Sequence, residues 1–186
     1  PAKILGCLGD GGAVLCNDKD VYEKMLLLRD HGRSHTTGEV ELWGFNTRLD
    51  NMHAAMLHEQ FKNYDKTIAR RREIAEMYNE KLGNISQLSL PVPPSKGDKH
   101  FDVFQNYEVL AKDRDSLKNF LKENGIGTLV QWGGKLVHQF PKLGFKQELP
   151  YSEKLMSEMI MIPMNLFISD EDVNYVCTKI NEFYSK

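Results

Sequence analysis

The 186-residue chain is 41% hydrophobic and 27% charged, with a mean hydropathy of −0.47 and no apolar run of transmembrane length, so no helix of it is expected to cross a membrane. A net charge of −2 and a pI of about 6.4 argue against the basic surface that nucleic acid or an anionic membrane would need. Cys7, Cys16 and Cys177 are odd in number and lack metal-ligand spacing, which suits a reducing compartment, with the cytoplasm as the default.

The chain opens with Lys3 just before a run holding Gly6, Gly9, Gly11 and Gly12. Glycines this dense let backbone pass close to a ligand or to another segment. A desolvated lysine amine beside them loses its proton more readily and can attack a carbonyl, while the plainer reading is a glycine-rich hairpin with a surface lysine. Ala13-Val14-Leu15-Cys16 reads as a buried strand. Asp18 can cap a helix over 19–30 whose Val21, Met25 and Leu28 share a face, and His31-Gly32 ends it. Residues 33–42 are polar and aperiodic, a loop. A helix over 49–64 carries two apolar stripes, which predicts burial on two sides, with Asn46 or Thr47 near its start. A further helix spans 66–82. Its Arg70-Arg71-Arg72 could be an anion site, but residues adjacent in a helix point in different directions, and a structural role is preferred.

Gly83 closes that helix, and residues 91–98, rich in proline, form the best linker. Beyond it the pattern predicts a strand over 104–111, a helix capped by Asp113 and ended by Gly125-Ile126 in a Schellman turn, and a strand over 128–131. A helix over 151–159 follows. Ser169-Asp170-Glu171-Asp172 then starts a last helix that buries Val173, Val176, Cys177, Ile180 and Phe183. No histidine pair has trusted metal spacing, and no metal site is expected.

Two blocks carry a resemblance. Pro1-Ala2-Lys3-Ile4-Leu5-Gly6 with Gly9-Asp10-Gly11-Gly12-Ala13-Val14 resembles the segment around the cofactor lysine of the DegT/StrS-type sugar-nucleotide aminotransferases. Asp30-His31-Gly32-Arg33-Ser34, followed by Gly44-Phe45-Asn46-Thr47-Arg48-Leu49 and on to Ala54-Ala55, resembles a second block of the same family. The resemblance implies an α/β fold, the C-terminal half of a fold-type I enzyme that uses pyridoxal 5′-phosphate (PLP). Residues 1–64 would be the remainder of the large PLP-binding domain, 65–97 a connecting helix and linker, and 98–186 a small C-terminal α/β domain. It also implies that this chain is incomplete and inactive by itself, because most cofactor-binding groups of the family precede the lysine.

By resemblance, Lys3 is the catalytic residue, binding PLP covalently and shuttling a proton during amino transfer. Asn46 would reach the PLP phosphate of a partner subunit, implying a homodimer with shared active sites; it could equally form an Asx turn or helix cap. Arg48 would face a phosphate bidentately, or pair with Asp50. The segment Trp132-Gly133-Gly134-Lys135-Leu136-Val137-His138 departs from the family pattern, with only His138 clearly answering to it. Trp132 and Lys135 could line a sugar-nucleotide pocket or form a plain turn around a packed tryptophan. The expected activity is transfer of an amino group from glutamate to a nucleotide-linked keto-sugar, as in surface-polysaccharide biosynthesis. The alternative from another class is a non-catalytic dimerisation or ligand-binding module on the same fold.

Overall fold

The computed structural model describes residues 3–94 and 101–185. Pro1, Ala2, His100 and positions 95–98 of the expected linker lie outside the described residues. The chain divides into two compact units, Pro1–Tyr64 and Asp65–Lys186.

In the first unit, helix α1 (Lys19–Arg29) begins where Asp18 accepts hydrogen bonds from the Asp20 and Val21 amides, satisfying two donors that a helix start leaves orphaned. It ends as His31 (φ 60°) and Gly32 (φ 74°) turn left-handed. Its last carbonyls are then capped from a distance: Phe45 N–H donates to Leu28 at 2.7 Å and Thr47 N–H to Arg29 at 2.9 Å. The 33–42 loop is correspondingly pinned, with isolated bridges at Arg33↔Val40 and Asp30↔Asn46. Helix α2 (Asn51–Phe61) is shorter than the periodicity predicts and has Asp50, not Asn46 or Thr47, at its N-cap.

Two sequence expectations fail in this unit. Residues 13–16 form no strand and are exposed, Leu15 at 94%, because a strand exists only by pairing and no partner occurs among the described residues. The stripes of α2 are not buried on two sides either; Met52 is 71% exposed and the helix buries no residue within this chain. Val21 is likewise exposed, so the expected inner face of α1 is only partly covered.

The second unit has a conventional core. Helix α3 (Tyr64–Leu82) opens it and buries Arg71, Ile74, Ala75, Tyr78 and Leu82, a stripe at helical spacing. Strands β1 (Leu88–Ser89), β2 (Tyr107–Ala111) and β3 (Met159–Ile162) form an antiparallel sheet in the order β1-β2-β3. Alternation along β2 points Tyr107, Val109 and Ala111 into the core, and the register sets Val109 opposite Ile160. Helices α4 (Arg114–Glu123) and α6 (Asp170–Tyr184) supply the remaining buried residues, including Leu117, Leu121, Val173 and Ile180. Burial raises the phenol pKa of Tyr78, whose hydroxyl donates to the Pro163 carbonyl at 2.7 Å, and pushes the Cys177 thiol up to about 11.

Several ends match their sequence signals. Gly125 (φ 75°) closes α4, with Ile126 N–H donating to Leu121 and Gly125 N–H to Lys122, the Schellman pattern. Ser169 and Asp172 form the reciprocal capping box of α6. Asp113 stands at the N-cap of α4, but its left-handed backbone (φ 57°) turns the side chain away from the helix amides. The expected strand over 128–131 shrinks to a single bridge, Leu129↔Met161. Helix α5 (Pro150–Glu158) leads directly into β3.

The three arginines act structurally. Arg71 donates to the Phe104 and Gln105 carbonyls, Arg70 to Asp170 and the Ile168 carbonyl, and Arg72 donates to the Asp102 carbonyl and lies over the Phe101 ring. Among the described residues no helix is long and apolar enough to cross a membrane, and no cluster of three His, Cys, Asp or Glu side chains is placed to hold a metal.

Candidate active site

Lys3 lies at the head of a tight turn in which Gly6 N–H donates to its carbonyl at 2.9 Å. Gly6 (φ 68°) is there because of space as well as conformation: a Cβ at that position would overlap the Gln60 side chain of α2. The turn thus rests on α2, while the Lys3 side chain is exposed and no hydrogen bond or ion pair among the described residues engages its amine. Gly6 and Gly9 lie against Gln60 and His53 of α2, and no hairpin forms here among the described residues.

A second set of groups surrounds the C-terminus of α1. Asp30 is 2% exposed, directly at the negative end of the helix, where a carboxylate is disfavoured unless cations compensate it. Arg33 Nη2 reaches its Oδ2 at 3.2 Å, His35 Nε2 approaches the same oxygen at 3.6 Å, and Arg48 Nη1 donates to Oδ1 at 2.6 Å. The other terminal nitrogen of Arg48 donates to Asn46 Oδ1 at 2.9 Å. Arg48 therefore pairs with Asp30, not Asp50, and Asn46 is held in an extended segment rather than capping a helix. The backbone here is packed without clearance. A Cβ on Gly32 would overlap the Leu42 carbonyl oxygen, and one on Gly44 would overlap the Gly32 amide.

From the sequence Asp30 is a helix end and the first residue of the second family block, and its place as the hub of this cluster was missed. The signal was available: an acid in the last turn of a helix needs cationic partners, and Arg33 and His35 follow at once.

The hydrogen bond from Arg33, followed by the charges of Arg33, Arg48 and His35, outweighs desolvation and holds the Asp30 carboxyl below its ordinary 3.8. Because the folded-state pKa is the lower one, the stabilisation is complete above the unfolded value and is lost as pH falls through the folded value. The gap in unfolding midpoint between the native protein and Asp30→Asn should therefore be constant in neutral buffer and close as pH drops below 3.8. Thermal unfolding followed by circular dichroism measures it; a gap persisting in acid would contradict the assignment.

The second unit holds the remaining candidates. Trp132 (φ 50°), Gly133 (φ 64°) and Gly134 (φ 80°) are three successive left-handed residues within a 3₁₀ turn (Gln131–Gly134). A tryptophan rarely adopts this backbone, and its indole is 78% exposed, so it is not packed in this chain's core. Lys135 follows, also exposed. The His138 side chain is 6% exposed, and its Nε2 lies 2.8 Å from Glu153 Oε1, bracing the segment against α5. That contact with His138, then the Leu149 amide, lowers the Glu153 pKa. Within the first unit the structure brings Asn46 and Arg48 together.

The groups of the first unit suit the two ends of PLP. An unengaged amine matches its aldehyde carbon, and a carboxamide with free N–H donors matches its phosphate.

The model of the DegT/DnrJ/EryC1/StrS aminotransferase family matches residues 1–181. A pleiotropic regulatory protein of Geobacillus stearothermophilus is 38% identical over 187 residues, covering 99% of this chain and 50% of that protein. A dTDP-3-amino-3,6-dideoxy-alpha-D-galactopyranose transaminase of Aneurinibacillus thermoaerophilus is 34% identical, with 93% of this chain and 47% of that protein covered. Among solved structures, a DegT DnrJ EryC1 StrS aminotransferase from Brucella abortus superposes with a TM-score of 0.86 at 30% identity, covering 100% of this chain and 49% of that one. The chain thus spans about half the length of the relatives it matches. It has the fold of the corresponding part of a fold-type I aminotransferase, and the chain belongs to the DegT/DnrJ/EryC1/StrS aminotransferase family.

Proposed function

We propose that the protein containing this chain is a PLP-dependent transaminase that moves an amino group, with glutamate as donor, to a keto-sugar carried on a nucleotide. The observation that carries this reading is the family match across residues 1–181, which includes Lys3 and Asn46; the sugar-nucleotide name of the Aneurinibacillus relative supports the acceptor class. PLP, when bound, supplies the electron-withdrawing ring that makes the donor's Cα proton acidic. Lys3 Nζ would hold the cofactor and would take and return that proton. Asn46 Nδ2 would donate to the phosphate of the cofactor in a partner subunit, which would make the active form a homodimer with shared sites; the cytoplasm is the location proposed for it. Residues 1–64 complete the large domain, 65–97 connect, and 98–186 form the small domain. The chain by itself is not a competent enzyme.

Trp132 and Lys135 meet the nucleotide sugar, indole against a flat apolar face and ammonium toward pyrophosphate, while His138 braces their loop through Glu153. The left-handed, exposed Trp132 supports this placement. In the full-length protein, Trp132→Ala should weaken sugar-nucleotide binding by about 1 kcal/mol. Lys135→Ala should add a loss that shrinks with salt. Neither should change the half-reaction with glutamate, and single-turnover kinetics of the two half-reactions measure this. Equal damage to both would refute the substrate role.

A second reading is favoured by the regulatory name of the Geobacillus relative: a non-catalytic dimerisation or ligand-binding module on the same fold. It predicts sugar-nucleotide binding without consumption of glutamate, and the same kinetic assay decides between them.

A further inference from the structure

We infer that Asp30 is a positioning residue for phosphate binding, acting through Arg48 to lock the Asn46 carboxamide in its donor orientation; this rests on the proposed role of Asn46. Arg48 is a guanidinium with donors only. One terminal nitrogen donates to Asp30 Oδ1 at 2.6 Å and the other to Asn46 Oδ1 at 2.9 Å. An amide flipped the other way would set its NH₂ against a cation with no acceptor, so Oδ1 must face Arg48 and both Nδ2 hydrogens face away. A phosphate ester, which offers only acceptors, needs that polarity.

Asp30 can impose it because its carboxylate cannot move. It is 2% exposed, its backbone pairs with Asn46 in an antiparallel bridge, and its other oxygen is occupied by Arg33 at 3.2 Å and His35 at 3.6 Å. Oδ1 is thereby reserved for Arg48. Arg48 itself is half-exposed, and without the carboxylate its guanidinium would be free to leave Asn46.

The test compares two ligands on the full-length protein by fluorescence titration: PLP, and pyridoxal, which lacks the phosphate. Asp30→Asn should raise the Kd for PLP about tenfold, the scale of one hydrogen bond to a charged group, and leave that for pyridoxal unchanged. Asn46→Ala should do the same, and the double variant should bind PLP no more weakly than Asn46→Ala alone, because the two act as one unit. Should Asp30→Asn not fold, Arg48→Met breaks the same relay while leaving Asp30 paired with Arg33, and should show the same phosphate-selective loss. Equal weakening of PLP and pyridoxal, or losses that multiply in the double variant, would overturn the inference. An Asp30 variant without effect beside an impaired Asn46→Ala would overturn the inference alone. An unimpaired Asn46→Ala would overturn the proposed role of Asn46 as well.

Discussion

Lys3→Ala in the full-length protein is expected to reduce transamination by about 10⁴-fold, the upper range for losing a positioned acid–base group. Stability should change by no more than about 0.5 kcal/mol, since the side chain is exposed and no hydrogen bond or ion pair among the described residues would be lost. The turn that carries Lys3 is held by its backbone carbonyl and by Gly6 against Gln60, neither of which the substitution touches. Glutamate-dependent formation of the amino sugar, read beside thermal unfolding, separates the two effects. Retained activity at normal stability would remove Lys3 from the chemistry and favour the binding-module reading.

Gly32→Ala is expected to destabilise the first unit by about 3 kcal/mol, combining about 1–2 for a left-handed alanine with about 1–3 for the backbone shift that its Cβ would force. Gly32 N–H donates to the Leu27 carbonyl at 2.8 Å and its own carbonyl accepts from Glu41, so the shift would reach both α1 and the 33–42 loop. Asn46 sits on the segment that Gly32 and Gly44 allow to approach, and phosphate binding should weaken with stability. Gly38→Ala provides the internal comparison: its φ is 80°, but a Cβ there meets only open space. It should cost only the conformational share, about 1–2 kcal/mol. Urea unfolding of both variants measures the difference, and equal losses would show that close approach is not what Gly32 serves.

What the sequence conveyed followed the range of the interactions concerned. The Schellman turn at Gly125-Ile126 and the capping box at Ser169 involve neighbours a few residues apart, and both formed as their patterns predict. The core face of α6 was legible for the same reason, since helical spacing selects Val173, Val176, Cys177 and Ile180, all buried, while the expected Phe183 is only half-buried at its end. The apolar segment 13–16 and the stripes of α2 misled, because hydrophobic pattern reports a tendency to be covered and does not say by what. Among the described residues Leu15 and Met52 stay largely uncovered, at 94% and 71% exposed. Phe104 was assigned to a strand but has φ 49°, a conformation set by long-range packing against α3 rather than by local propensity.

Site legibility divided in the same way. Lys3 and Asn46 were marked by resemblance, and the exposed, left-handed Trp132 gives its loop a physical distinction that its letters only hinted at. Of the alternatives the sequence offers Arg48, a phosphate or Asp50 two residues away, neither names Asp30, which is eighteen residues away in sequence and becomes a neighbour only when the chain returns along α1. His138 answers to the family pattern in the sequence, and in the structure its Nε2 pairs with Glu153.

The central claim is that Lys3 Nζ is the attachment point of the cofactor. Full-length protein loaded with PLP, treated with borohydride and digested, should yield a single pyridoxyl-bearing peptide with the added mass on Lys3, and Lys3→Ala should yield none. Stable label on Lys135 or any other lysine, or label that persists in Lys3→Ala, would contradict it.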